Sequence, residues 1–123
     1  MTPTLTKSYI AEAAVTKRRI VKPGTADGKV LQGAAATDAV FGVSTEIDAA
    51  INERCDVHLA GMVEVEAGGT IARGDPITAD ANGKAVKAAP AAGVNNRIAG
   101  WADVAAVSGD VFDLLLAPGQ IQG

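Results

Sequence analysis

A chain of 123 residues is one ordinary domain, long enough to bury a core without metals or disulfides. With a net charge of −3, scattered basic residues apart from Lys17, Arg18, Arg19 and Lys22, one cysteine, and no apolar run near the ~20 residues of a membrane helix, it is not expected to bind nucleic acid, form an internal disulfide or cross a membrane as a helix. The apolar fraction is 48%, but Ala and Val supply much of it, so each buried side chain removes little area from water at roughly 25 cal/mol per Å². A thin monomer core favours burial of apolar surface between subunits, and an oligomer is expected.

Residues 1–16 carry Thr2, Pro3, Thr4, Thr6 and Ser8 around three larger apolar residues, Leu5, Tyr9 and Ile10, and read as an extended, flexible N-terminal arm. A competing reading makes Ser8 the N-cap of a short helix, because Ala11, Ala13 and Ala14 favour helix. A lone Lys7 and no continuous apolar stretch speak against a signal peptide. From residue 17 to 123 a single β-rich domain is expected. Its first strands are Arg19-Ile20-Val21-Lys22, Lys29-Val30-Leu31-Gln32 and Ala39-Val40-Phe41-Gly42-Val43, each bounded by Gly or Pro breakers. Between Ser44 and Arg54, Ile47, Ala50, Ile51 and Arg54 fit one face of a helical turn, so a loop with one short helix is expected.

The longest strand has Val57, Leu59, Gly61, Val63 and Val65 on one face and His58, Ala60, Met62, Glu64 and Glu66 on the other, which implies one buried and one wet face. Arg73-Gly74-Asp75-Pro76 is a turn into Ile77-Thr78-Ala79, and Pro76, lacking an N–H, belongs at that strand's start or on an edge. Asp80-Ala81-Asn82-Gly83 reverses the chain into Lys84-Ala85-Val86-Lys87, with Gly83 suited to positive φ. Arg97 to Ala102 and Asp110 to Leu116 are the last strands. Trp101, the only tryptophan, is expected to anchor the core or a subunit interface. Eight or nine strands with at most one or two helical turns describe an all-β fold, a small distorted barrel or sandwich.

Chemistry has few residues to use. Cys55 and His58 are the only cysteine and histidine, and three residues apart on a strand they point to opposite faces, so no nucleophile and base pair forms. Asp75, Asp80 and Asn82 lack the spacing of a dedicated Ca²⁺ loop and read as turn residues. Gly24-Thr25-Ala26-Asp27-Gly28-Lys29 lacks a phosphate loop's Gly-Lys-Ser/Thr. Lys84 follows a hairpin tip, as in lipoyl or biotinyl carrier domains, but without the Met or Asp neighbours those lysines have. A displayed carbohydrate- or cell-binding module is the alternative function, although Tyr9, Phe41, Trp101 and Phe112 are the only aromatics available to it. No enzyme activity, cofactor or metal is expected.

The order Phe41-Gly42-Val43, Ala60-Gly61-Met62-Val63-Glu64-Val65, Ile71-Ala72-Arg73-Gly74-Asp75-Pro76-Ile77, Asn82-Gly83-Lys84-Ala85, Ile98-Ala99-Gly100-Trp101-Ala102 and Val111-Phe112-Asp113-Leu114-Leu115-Leu116 resembles the capsid cement or head decoration proteins of tailed bacteriophages. The resemblance covers about the last two thirds of the chain and departs from the family at Ser44 to Asp56, which is longer and more helix-prone than the usual loop. It implies a β-rich homotrimer on the outside of the expanded head at three-fold positions, bound to the major capsid protein and stabilising the shell against internal DNA pressure. It also implies a virion protein; the single cysteine fits assembly in the host cytoplasm, and the charge and hydropathy above speak against a nucleic-acid or membrane partner. In lambda-type decoration proteins, which share the role without clear sequence similarity, a flexible N-terminal arm orders on the capsid. Leu5, Tyr9 and Ile10 would then form a capsid-binding arm that adds a strand to an exposed sheet edge.

Overall fold

Strand-forming runs cut by Gly, Pro and Asn turns fold as the sequence pattern requires. The computed structural model describes residues 3–123 and contains nine strands and, among the described residues, no helix. These are β1 (Pro3–Ala11), β2 (Ile20–Pro23), β3 (Lys29–Gln32), β4 (Gly42–Ser44), β5 (Arg54–Glu66), β6 (Pro76–Ala79), β7 (Ala85–Lys87), β8 (Asn95–Ala102) and β9 (Val111–Gln122). They form one sheet in the order β1-β3-β2-β4-β5-β9-β8-β6-β7, and β1 also pairs with β5. That pairing closes β1, β3, β2, β4 and β5 into a five-stranded barrel. The other four strands continue from β5 and curl back to it, because Ala85 of β7 bridges Ala67 just beyond the end of β5.

The thirteen residues of β5 serve both halves. Its first part pairs with β1, and with β4 at Val57 and His58, whereas Gly61 to Glu66 pair with β9. The expected alternation is present. Cys55 and Val57 enter the barrel core with Ala11, Val21 and Val30, and Val63 and Val65 enter a second core with Ile77, Phe112 and Leu114. Ile20 and Val43, from barrel strands β2 and β4, point out of the barrel into that second core. Gly61 lies where the pairing changes, at φ 94, a conformation that L side chains adopt only at a cost.

Two expectations are corrected and a third is narrowed. The flexible arm is instead strand β1, running antiparallel along β5 from Pro3 opposite Gly61 to Ile10 opposite Arg54, while Met1 and Thr2 lie outside the described residues. The segment is extended as its composition implied. It has a partner in its own chain because β5 offers a long edge whose backbone groups need hydrogen bonds. The chain continues into the barrel core through Ala11 and Val15, so the expected boundary at residue 16 falls between residues that share one core.

The helical turn after Ser44 is absent. Ile47 and Ile51 are 71% and 61% exposed, which leaves a short helix no apolar face to bury, and short helices rarely persist without one. The loop is held by the exchange of hydrogen bonds between Val15 and Ala49 and by the Asn52 N–H donating to the Ala11 carbonyl. Of the two places expected for Trp101, core or subunit interface, the monomer core is not where it lies. It is 41% exposed on the outer side of β8.

The Asp80 to Gly83 hairpin forms as expected, pairing Ala79 with Ala85, with Gly83 at φ 73. Pro76 opens β6. The final strand runs past its expected end to Gln122.

Replacing Gly61 by Ala should lower stability by about 1–3 kcal/mol because of its positive φ, measured as a fall in the urea midpoint at unchanged slope. An unchanged midpoint would show that the positive φ carries no cost at this position.

Candidate functional site

The two reactive side chains of β5 stay apart. Cys55 is buried in the barrel core, and burial, followed by the Asp56 charge, pushes its thiol above the ordinary value and away from the nucleophilic thiolate. His58 faces the other way, its Nδ1 2.9 Å from the Thr6 hydroxyl of β1. Burial lowers its pKa, and the Glu46 and Asp56 charges only partly oppose that shift. Beside it the Ser8 hydroxyl donates to Asp56 at 2.8 Å, and the Arg54 guanidinium holds the same carboxylate at 2.8 and 3.2 Å.

The carboxylates weighed as cation ligands each close a separate turn. Asp75 Oδ2 accepts from the Ala72 N–H, and Asp80 Oδ1 accepts from the Asn82 and Lys84 N–H groups. The four residues of β6 lie between the two, so Asp75 does not join Asp80 and Asn82. Among the described residues no group of three or more His, Cys, Asp or Glu side chains could hold a metal ion. Lys84 pairs with Glu66 at 3.2 Å.

The remaining candidate residues fall on surfaces. Leu5 and Ile10 sit on the outer face of β1, opposite Ala60 and Arg54, and Leu5 is 52% exposed. Tyr9 does not join them. It turns toward the barrel core and meets Phe41 edge to face at 5.6 Å, with the Lys7 ammonium 5.1 Å from its ring. Gly74, at φ 89, donates its N–H to the Ala102 carbonyl, and the Ala102 N–H returns a bond to the Asp75 carbonyl, which fixes the turn against the end of β8.

A second surface was only half legible in the sequence. Met62 pairs with Leu115, Leu115 with Trp101, and Trp101 with Pro76, so residues of β5, β9, β8 and β6 line up in one apolar row. Leu115 is 47% exposed although Leu114 and Leu116 are buried. Period-two alternation across Leu114-Leu115-Leu116 is the signal that would have found it. On the same face, one step along β5 and β9, Glu64 lies directly opposite Asp113. Among the described residues neither carboxylate has an ion pair.

A family model described as phage cement protein matches residues 2–116. The chain belongs to the phage cement protein family. It is a structural protein of the phage capsid, associated with the virion. No curated protein matches it significantly. Among solved structures it is similar to the N-terminal base of the head fiber protein gp8.5 of bacteriophage phi29, with a TM-score of 0.70 and 20% identity over 92% of this chain and 93% of that one. At that identity the likeness concerns the fold alone. Residues 117–123, which hold the end of β9, extend past the family match.

The charged groups of this cement protein set its response to acid. Glu12 is held below its ordinary pKa by the Thr25 hydroxyl and then the Thr25 N–H, and Asp56 by Arg54 and then Ser8. Burial pushes Glu66 up, but the hydrogen bonds from Arg19 and Lys84 outweigh it. Each of these groups, and His58, binds fewer protons folded than unfolded, so stability rises with pH wherever they titrate. Stability should therefore begin to fall as pH drops below the ordinary histidine value of 6.5. It should fall more steeply below the ordinary glutamate value of 4.5. Urea midpoints across that range should show both phases, and His58→Gln should remove only the upper one.

Proposed function

We propose that this cement protein binds the outside of the expanded head as a homotrimer at three-fold positions, contacts the major capsid protein and holds capsomers together against the pressure of packaged DNA. It would be added to shells assembled in the host cytoplasm. The observation that carries the reading is the family match over residues 2–116. The architecture suits the role physically. A protein that bridges capsomers needs a rigid body and a broad contact surface, and two cores sharing one long strand supply a rigid body. Small Ala and Val side chains dominate both cores, so a trimer would add burial that the monomer lacks. Three subunits on one site would also multiply weak single contacts through effective concentration.

Within this reading β1 remains a capsid-binding element, with Leu5 and Ile10 as its outward contacts and Tyr9 bracing the strand from behind. Because β1 closes the barrel, deleting it would open the barrel core and test folding rather than binding. The double substitution Leu5→Ser and Ile10→Ser avoids that. Both side chains are exposed, so stability should change by less than about 0.5 kcal/mol while affinity for heads falls. Full-strength binding by the variant would remove β1 from the capsid contact.

The direct experiment mixes the purified protein with expanded and unexpanded heads and measures co-sedimentation and stoichiometry. Saturable binding to expanded heads in multiples of three per lattice site is the expected result. No binding to either form would overturn the proposal.

A further inference from the structure

We infer that the outer face of β5, β9 and β8, with the row Met62, Leu115, Trp101 and Pro76 beside the Glu64–Asp113 pair, is the face that docks on the capsid, and that the capsid surface meeting it is apolar with a border of Lys or Arg. This rests on the reading of the chain as a head-binding cement protein and names the face and partner chemistry that the reading leaves open. Two independent observations converge on it.

The first is the row itself. Trp101 is the only tryptophan, and it stands out of the fold between an exposed Leu115 and the half-buried Pro76. Its base is fixed. A Cβ at Gly100 would strike the Leu115 carbonyl oxygen, so glycine lets β8 press against β9 directly beneath the ring. A large aromatic held on a rigid strand loses little conformational entropy on contact, which is the profile of an interface anchor.

The second is the charge beside it. Like charges directly opposite across an antiparallel pair destabilise a sheet. The other acidic side chains of this sheet surface have cations: Glu66 has Arg19 and Lys84, and Asp56 has Arg54. Glu64 and Asp113 have none among the described residues. A cationic border on the partner would relieve their repulsion, so the charge complements a basic surface. A second copy of this chain related by a two-fold axis fits poorly. The net charge is −3, and stacking this face on itself would bring carboxylates against carboxylates.

The test measures binding isotherms on expanded heads lacking the protein, at low and physiological salt, for the wild type, Trp101→Ala, and the double variant Glu64→Gln and Asp113→Asn. Trp101→Ala should bind at least ten-fold more weakly. The double variant should be as stable to urea as the wild type or more so, because it removes a repulsion. It should nevertheless bind several-fold more weakly at low salt and approach the wild type as salt rises. Its stability keeps the test intact if Trp101→Ala folds poorly. Wild-type affinity in both variants would overturn this face while leaving the cement reading in place, and no binding by the wild type would overturn both. If Trp101→Ala instead dissociates the free oligomer, as sedimentation equilibrium would detect, the row lies between copies and the inference fails.

Discussion

The fold depends on one long strand changing partners part-way along its length. Along one edge of β5, Val57 and His58 pair with β4, and from Gly61 onward that edge belongs to β9. The opposite edge is taken by β1, whose pairing reaches Gly61 from Arg54. Gly61, at φ 94, is the point at which the ladder turns from one set of partners to the next. A residue with a Cβ would resist that turn, and the barrel and the second lobe would then compete for a straight strand. Both cores draw side chains from the same alternating positions of β5, so the strand is a wall of each.

A second junction keeps the lobes together. The tip of the β6–β7 hairpin docks on the barrel. The Ile20 N–H donates to the Gly83 carbonyl at 2.8 Å, and Gln32 and Arg19 donate to the Asn82 carbonyl at 2.7 and 3.0 Å. Glu66 draws Arg19 and Lys84 to the same place. Ile20 and Val43 carry the connection inward by packing into the second core. Ala and Val make up most of the barrel core, the second core adds Ile71, Ile77, Phe112 and Leu114, and the junctions between them join the two into one body.

Such a body suits a protein of the phage capsid. Its reactive groups are sequestered or used locally: the Cys55 thiol is buried, His58 contacts Thr6, and Asp75 and Asp80 close turns. What the chain presents outward is shape, exposed apolar side chains and charge. The outer faces of β1 and of β5, β9 and β8 are therefore the places where function would reside, and both belong to strands that also build the cores.

The sequence by itself determined what depends on near neighbours. Asn82-Gly83 made the hairpin, Pro76 had to begin its strand, and the alternation from Val57 to Glu66 set the buried and wet faces of β5. The turn and strand order also carried the resemblance to cement proteins, which the family match supports. Only the tertiary structure decided what depends on residues far apart in the chain. Nothing local shows that β1 pairs with a strand about fifty residues later, yet Thr6 meets His58 and Ser8 meets Asp56. Nothing local turns Ile47 and Ile51 out to solvent or brings Leu115 beside Trp101. Propensity and turn chemistry act over a few residues, whereas strand pairing and exposure are settled by which distant backbone edge satisfies a strand's hydrogen bonds.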